Sequence, residues 1–425
     1  MSTVLVLTNH NSMLEDALVD AGHNVYAAMT KANAARRTAT GNLPYEVFTV
    51  SDWQSLTELH ALANQLRHEI HYVATCWEGA MVAAGLLRDL LGLPGQNTAQ
   101  AVAFTDKAIM KRKLAAAGVP VVRHQVVRSV SQIPEAAIAV GRWPVIAKPL
   151  SGFASTNMHV LWGSKDIAEA MRAGVFTSDL PTSDAFATEK AFRGLEHQSG
   201  GFLVEQYLPV EVEYHADALW QNGTTDYHVV GRYSTPALDG MGKTLGSWLL
   251  DPDSREAARV VELAEAAARA LGMTTGFTHT EVMRSDGDWY VGEIAARVGG
   301  GGIQACIGNA HGIHVPTLMA QIACEQPVDV QLENRPGVFG WAGVAVPEGR
   351  VTAIASREQV RAHPAVVDAS VAATVGMYGG PTSTGLWAGL AGIAQLCTDD
   401  VDSTAAAIND IAGLYALTVD PTDTP

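Results

Sequence analysis

A chain of 425 residues is too long for one ordinary core and suggests two to four domains, at roughly 100 to 200 residues each. With 48% hydrophobic and 17% charged residues it has the composition of a compact globular protein, which excludes a largely disordered chain. A formal net charge of -16 argues against nucleic-acid binding, which draws its affinity from clustered Lys and Arg; solubility is the plainer use of that charge.

The opening TVLVLTNH is a β-branched and leucine run, MLEDALVDAG follows with helical spacing and a terminal glycine, and HNVYAAM is a second strand. This is the start of a βαβ unit, but it lacks a GxGxxG and so gives no reason to place a dinucleotide on it. In IHYVATCWEGAMVAAGLLRDLLGLPG a strand feeds an alanine-rich helix closed by Gly-Leu-Pro-Gly, ending the first unit near Gly95. One helix is expected from about Thr98 through AFTDKAIMKRKLAAAG, broken by Gly-Val-Pro. PVVRHQVV and WPVIAKPL read as strands. A polar, partly flexible stretch runs from about Ser178 to Gly201. GFLVEQYLP and VEYHADALWQ are further strands, the latter turning through Asn-Gly into TTDYHVVGRY. DPDSREAARVVELAEAAARALG is the clearest helix, with Asp251 or Asp253 as its cap and Gly272 as its stop. FTHTEVM and WYVGEIA form a hairpin through SDGD, and beyond Gln331 GVFGWAGVAVPEGRV and AVVDASVAATVG read as strands of a small domain.

Cys76, Cys306, Cys324 and Cys397 are scattered without a CxxC pair, which suggests neither a disulfide framework nor a structural zinc site and fits a reducing, cytoplasmic compartment. STVLVLTNHN has no basic leader, and no stretch reaches the roughly 20 apolar residues of a membrane span, so a soluble protein without a membrane partner is expected.

The hairpin can be tested on paper. A loop with an odd number of residues, for example Asp286 to Asp288, sets Glu281 directly opposite Glu293, where like charges repel unless a divalent cation lies between them. A two-residue loop without a bulge sends them to opposite faces, and two solvated glutamates are the plainer outcome. Arg297 lies just past the strand end and suits a carboxylate or phosphoryl oxygen, while Gly299 to Gly302 let amides approach a developing oxyanion. A surface arginine before a mobile loop is the alternative. Lys148 ends an apolar strand, where a lysine reaches solvent or an anion, and leads into the small residues Ser151 to Asn157. Lys107 adds a second positive charge, although a helix lysine is by default solvated. Glu205, Glu211 and Glu213 are suited to an adenine amine or a ribose hydroxyl, or to a strand edge. His279, between two threonines, reads as a hydrogen-bonded strand histidine.

Taken in order, AFTDKAIMKRKLAAAGVPVV, PVIAKPLSGFAST, FLVEQYLPVEVEYHAD, and THTEVM with YVGEIAARVGGGG resemble the ATP-grasp superfamily of carboxylate-amine ligases, over roughly Pro94 to Pro327. The segment after Gln331 is similar to the small C-terminal domain of L-amino acid ligases that make dipeptides. The resemblance implies an α/β (α+β) ATP-grasp fold: a parallel-sheet N-terminal domain over residues 1–97, an ATP-grasp domain over 98–330 with a lid at about 115–207, and a small α+β domain over 331–425. It implies that ATP phosphorylates a small-molecule carboxylate and that an amine then attacks the acyl phosphate to give an amide, ADP and phosphate. Lys107 and Lys148 would hold phosphates, with Ser151, Ser155 and Thr156 closing over them. Glu205 and Leu208 would meet adenine, and Glu213 the ribose, with Glu211 as the alternative because LPVEVEY carries an extra residue. Glu281 and Glu293 would bind Mg²⁺, or Mn²⁺ in its place. Arg297 and the Gly300 amide would steady the acyl phosphate, and His279 and Gly301 would border the substrate. Many relatives have asparagine at the place of Ala295, so one metal ligand is missing or replaced by water. A homodimer is expected from resemblance alone. The competing readings are a bicarbonate-using carboxylase and, prompted by Ala295, a nucleotide-binding regulator with a degenerate site.

Overall fold

The computed structural model describes residues 1–9, 11–39, 41–180, 190–240, 242–379 and 390–422. Its first sheet is built from β1 (Thr3–Leu7), β2 (Asn24–Thr30), β3 (Glu46–Val50) and β4 (Tyr72–Ala74) in the order β3-β2-β1-β4, all parallel. Helices cover parallel strands on their faces, and β1 accordingly reads as an uninterrupted apolar run with Val4 to Leu7 buried. The alanine-rich helix Met81–Leu91 ends at Gly92, whose φ of 65° is a left-handed cap that glycine adopts without strain. The chain leaving β1 reaches Asn11, and the chain leaving β4 reaches Trp77 and Glu78.

The single helix expected from Thr98 is two, Thr98–Thr105 and Lys107–Ala116. Asp106 divides them: its backbone is extended, and its carboxylate accepts from the amides of Ala108 and Ile109 as an N-cap. Lys107 therefore opens a new helix and is buried, where a continuous helix would leave a lysine solvated. A second sheet follows, with β5 (His124–Val127), β6 (Val145–Pro149), β7 (His159–Leu161) and β8 (Phe202–Gln206) in the antiparallel order β5-β8-β6-β7. Of the polar stretch from Ser178 to Gly201, residues 181–189 lie outside the described residues, as do 423–425 of the terminal VDPTDTP.

The third and largest sheet starts with β9 (Val212–Gln221), β10 (Thr224–Tyr233), β11 (Leu245–Leu249), β12 (Gly276–Ser285) and β13 (Asp288–Ala295). Asn222 and Gly223, both at positive φ, make the expected two-residue turn between β9 and β10. The long helix Arg255–Leu271 lays Val260, Leu263, Ala264 and Ala267 against this sheet, and its cap is Ser254, whose hydroxyl accepts from the Ala257 amide. Asp251 and Asp253, the caps expected from sequence, fall in the turn before it.

Beyond residue 331 come β14 (Val338–Ala345), β15 (Gly349–Ala353), β16 (Val366–Val371), β17 (Tyr378–Gly379), β18 (Leu390–Thr398) and β19 (Thr418–Asp420). β14 pairs with β11, so the large sheet runs β13-β12-β9-β10-β11-β14-β18-β16, while β17-β15-β19 form a small sheet of their own. Among the described residues no helix is long and apolar enough to cross a membrane.

Candidate active site

The β12–β13 hairpin closes through Asp286 and Gly287, a two-residue turn with both residues at positive φ and Ser285 paired to Asp288. Alone, that turn would send Glu281 and Glu293 to opposite faces. The register shifts by one residue at Gly292, however, and this β-bulge brings Glu281 directly opposite Glu293. The pairing is the one expected from an odd loop; the odd residue lies in the strand. The bulged glycine also exposes its carbonyl to Lys111, whose Nζ donates to it at 3.1 Å.

These glutamates, Lys107, Lys148, Glu213 and Arg297 all line one cavity of about 670 Å³ between the three sheets. Lys107 Nζ donates to Glu293 Oε1 at 2.5 Å and to the Gly152 carbonyl at 2.8 Å, tying the helix start to both the hairpin and the loop after β6. Burial works against charge on both glutamates. Lys107 outweighs it at Glu293, which is held below the usual carboxylate range, whereas at Glu281 burial and the facing Glu293 together push the carboxyl up.

Glu205 sits in the same cavity with a different set of partners. Its oxygens lie 2.8 Å from Lys111 Nζ and 2.6 Å from Lys148 Nζ, and these two lysines overcome its burial and hold the carboxyl down to about 2. Both oxygens of Glu205 thus face lysines. Lys111 went unrecognised in the sequence, although its position one helical turn after Lys107 was a usable signal. Leu208 lines the cavity from the loop between β8 and β9. Glu213 lines it too and accepts from the Ala237 amide at 2.7 Å, its carboxyl pushed up to about 8 by burial and by Glu281. Glu211 is exposed, accepts from the Asp286 amide and is paired with Arg284, away from the lining residues of the cavity.

In the loop after β6, Ala154, Ser155 and Asn157 all take left-handed backbone with φ between 54° and 56°. Such conformations are strained for residues with a Cβ and concentrate at functional loops. Ser155 and Thr156 line the cavity; Ser151 is not among its lining residues.

Arg297 directs Nε and Nη2 to one oxygen of Glu78, at 2.8 and 2.6 Å, and Nη1 to the Val298 carbonyl at 2.9 Å. Burial opposes its charge, but Glu78 more than compensates. The glycine run then enters the helix Ile303–His311, with Gly302 at its cap. A Cβ on Gly299 would lie 2.5 Å from Asp217 Oδ1, and one on Gly302 2.6 Å from Trp341 Cβ, so both are glycine for want of space. Gly300 and Gly301 border the cavity, with open space beside Gly300.

His279 is a strand histidine, as expected, within a chain that the sequence reading missed. Its Nδ1 lies 3.0 Å from Asp217 Oδ1, Asp217 Oδ2 lies 2.7 Å from His215 Nδ1, and His215 Nε2 lies 2.8 Å from Ser247 Oγ. All four are buried, and the HAD and THT triplets meet because β9 and β12 pair with Asp217 opposite His279. Glu78 was missed as well, because nothing local marks a glutamate in WEGA.

No family model matches the chain. It is 28% identical over 308 residues to an L-arginine-specific L-amino acid ligase from Bacillus subtilis, covering 72% of this chain and 70% of that one. A dapdiamide A synthase from Enterobacter agglomerans is 26% identical over 259 residues, 59% of this chain and 57% of the relative. Among solved structures, an L-amino acid ligase from Bacillus licheniformis superposes with a TM-score of 0.74 at 17% identity, over 100% of this chain and 99% of that chain.

Proposed function

The chain is an ATP-grasp carboxylate-amine ligase, and from that premise we propose that it activates an amino acid or other small carboxylic acid with ATP and Mg²⁺ and joins it to the amine of a second small molecule. The observation that carries this reading is the facing of Glu281 and Glu293 in one cavity with Lys107, Lys148 and Arg297. Two opposed carboxylates are the hard oxygen donors that Mg²⁺, or Mn²⁺ in its place, accepts, and the upward push on Glu281 marks the repulsion that such an ion relieves. When bound, the ion neutralises charge on the transferring phosphate.

In this reading Lys107 and Lys148 hold phosphate oxygens, and the strained turn around Ser155 and Thr156 presents its amides and hydroxyls to them. Glu205 borders the adenine and also positions Lys148 and Lys111. Leu208 borders the base, and Glu213 accepts from the ribose. The carboxylate attacks the terminal phosphorus and ADP leaves; the amine then attacks the acyl carbon of the acyl phosphate, inorganic phosphate departs as the C–O bond breaks, and the nitrogen loses a proton to give the amide. Arg297 and the amide of Gly300 bear the negative charge that grows on the oxygens, while His279 and Gly301 border the reacting acid. No protein nucleophile is needed.

The curated relatives are ligases, which favours this reading over a bicarbonate-using carboxylase. The deciding experiment is an ADP-release screen over pairs of amino acids, with mass spectrometry of the products. Mg²⁺-dependent ADP release that requires both substrates, with a product of the summed mass less water, is the expected result. Absence of ADP across a broad panel, or turnover with bicarbonate alone, overturns it.

A further inference from the structure

Glu78 carries an oxygen whose purpose the ion pair with Arg297 does not explain. Both bonds from Arg297, through Nε and Nη2, fall on Oε2. Oε1 is buried without a hydrogen-bond partner among the described residues. The residue is 8% exposed, and it lines the cavity. A buried carboxylate oxygen without a donor is unfavourable, and such groups in native structures call for an absent ligand or a functional role. One oxygen already fixes Arg297, so packing does not require the second to stay bare. The nearby cation Lys107 is no candidate donor, since its Nζ is directed to Glu293 and to the Gly152 carbonyl.

Arg297 shows the complementary vacancy. Three of its N–H groups go to Glu78 and Val298, leaving two of the guanidinium's five donors for a ligand oxygen. Free donors and a free anionic acceptor thus stand on one ion pair at the wall of the cavity. An α-amino acid presents a carboxylate and an ammonium separated by a single carbon, which is the matching pattern.

Building on the ligase reading, we propose that Glu78 Oε1 receives the α-ammonium of the amino acid whose carboxylate is activated at Arg297. The Arg297–Glu78 pair then reads both ends of one zwitterion and makes Glu78 a specificity-determining residue. The amine of the second substrate is the other nitrogen that must come close, but its lone pair has to turn to the acyl carbon, so a fixed acceptor on the Arg297 ion pair suits it less well. The ammonium of the activated acid is under no such demand and stays charged throughout.

Hydroxylamine as the accepting amine tests this cleanly, because the donor is then the only organic carboxylic acid present. ADP release and hydroxamate formation are measured for L-leucine, L-methionine and L-phenylalanine, and for 4-methylpentanoate, 4-(methylthio)butanoate and 3-phenylpropanoate, which keep the side chain and lack the ammonium. The wild type should favour the best amino acid over its desamino partner by at least about tenfold in kcat/KM, since a site built to bond a substrate N–H rejects the analogue without it. Glu78→Gln, which keeps an oxygen for Arg297 and sets an NH₂ donor where Oε1 stood, should bring that ratio close to one. Equal use of the two acids by the wild type overturns the assignment even if the variant fails to fold, and so does an unchanged ratio in an active Glu78→Gln. If no acid in the broad amino-acid panel supports ADP release, the ligase reading itself falls and takes the assignment with it.

Discussion

Two glutamate clusters in one cavity stand in opposite electrostatic states. Glu205 is shared between Lys111 and Lys148, so one negative charge faces two positive ones and the carboxyl is held down to about 2. Glu281 faces Glu293 instead, and burial together with that like charge pushes its carboxyl up, although Lys107 already serves Glu293. The first cluster keeps one positive charge in excess, and Glu205 orients both lysines. The second is short of positive charge and becomes favourable only with a cation. In one cavity, then, each cluster is short of the charge that its own part of the ligand brings, phosphate for the lysines and a cation for the glutamates.

The sharpest way to break the contrast is Glu205→Gln. Removing one member of a buried ionic cluster leaves Lys111 and Lys148 uncompensated, and about 3–5 kcal/mol of stability should be lost in denaturant unfolding. A related prediction concerns acid. Because the carboxyl of Glu205 is depressed below its ordinary value of 4.5, its contribution is present in full above about pH 4.5 and is lost as the pH falls toward about 2. Stability followed by circular dichroism should decline across that window in the wild type, and more shallowly in Glu205→Gln.

The converse is expected of Glu281→Gln, the member of the facing pair whose carboxyl burial and like charge push up. ADP release should drop roughly 100-fold or more, as for loss of a metal ligand that fixes a reacting phosphate. The melting temperature should stay near that of the wild type, because one of two opposed like charges has been removed. A large loss of stability with retained turnover would reverse the contrast between the clusters.

The glycine run allows a finer comparison. Gly299→Ala sets a methyl 2.5 Å from Asp217 Oδ1 and should cost about 1–3 kcal/mol, whereas Gly300→Ala meets nothing within 4 Å and should leave thermal unfolding unchanged. The smallest effect is expected from Ala295→Asn, which restores an oxygen beside the hairpin. The Mg²⁺ concentration for half-maximal ADP release should fall by less than about tenfold.

Much of this is legible in the sequence, and the limits have physical causes. The hairpin, the strand ending at Lys148 and the glycine run follow from alternation, turn chemistry and glycine content, which act within a few residues. The single helix drawn from Thr98 failed because Asp106 offers its backbone a cap in mid-segment, which periodicity alone does not register. The caps at Asp251 and Asp253 gave way to Ser254 for a similar reason: several adjacent residues were chemically able to cap, and packing of the helix chose one. Glu78, His215, Asp217 and Lys111 escaped notice because each takes its role from a partner distant in sequence, as Glu78 does from Arg297.

What the sequence by itself determined is the supply and order of chemistry: two cavity lysines, two hairpin glutamates, an arginine and a run of glycines, on elements set by local rules. The tertiary structure decided which of them meet. The bulge at Gly292 turned Glu281 toward Glu293, the pairing of β9 with β12 joined Asp217 to His279, and the pairing of β11 with β14 seated Trp341 against Gly302. Strand register and charge pairing are long-range terms, fixed only when the whole sheet closes and each buried charge finds its neighbour.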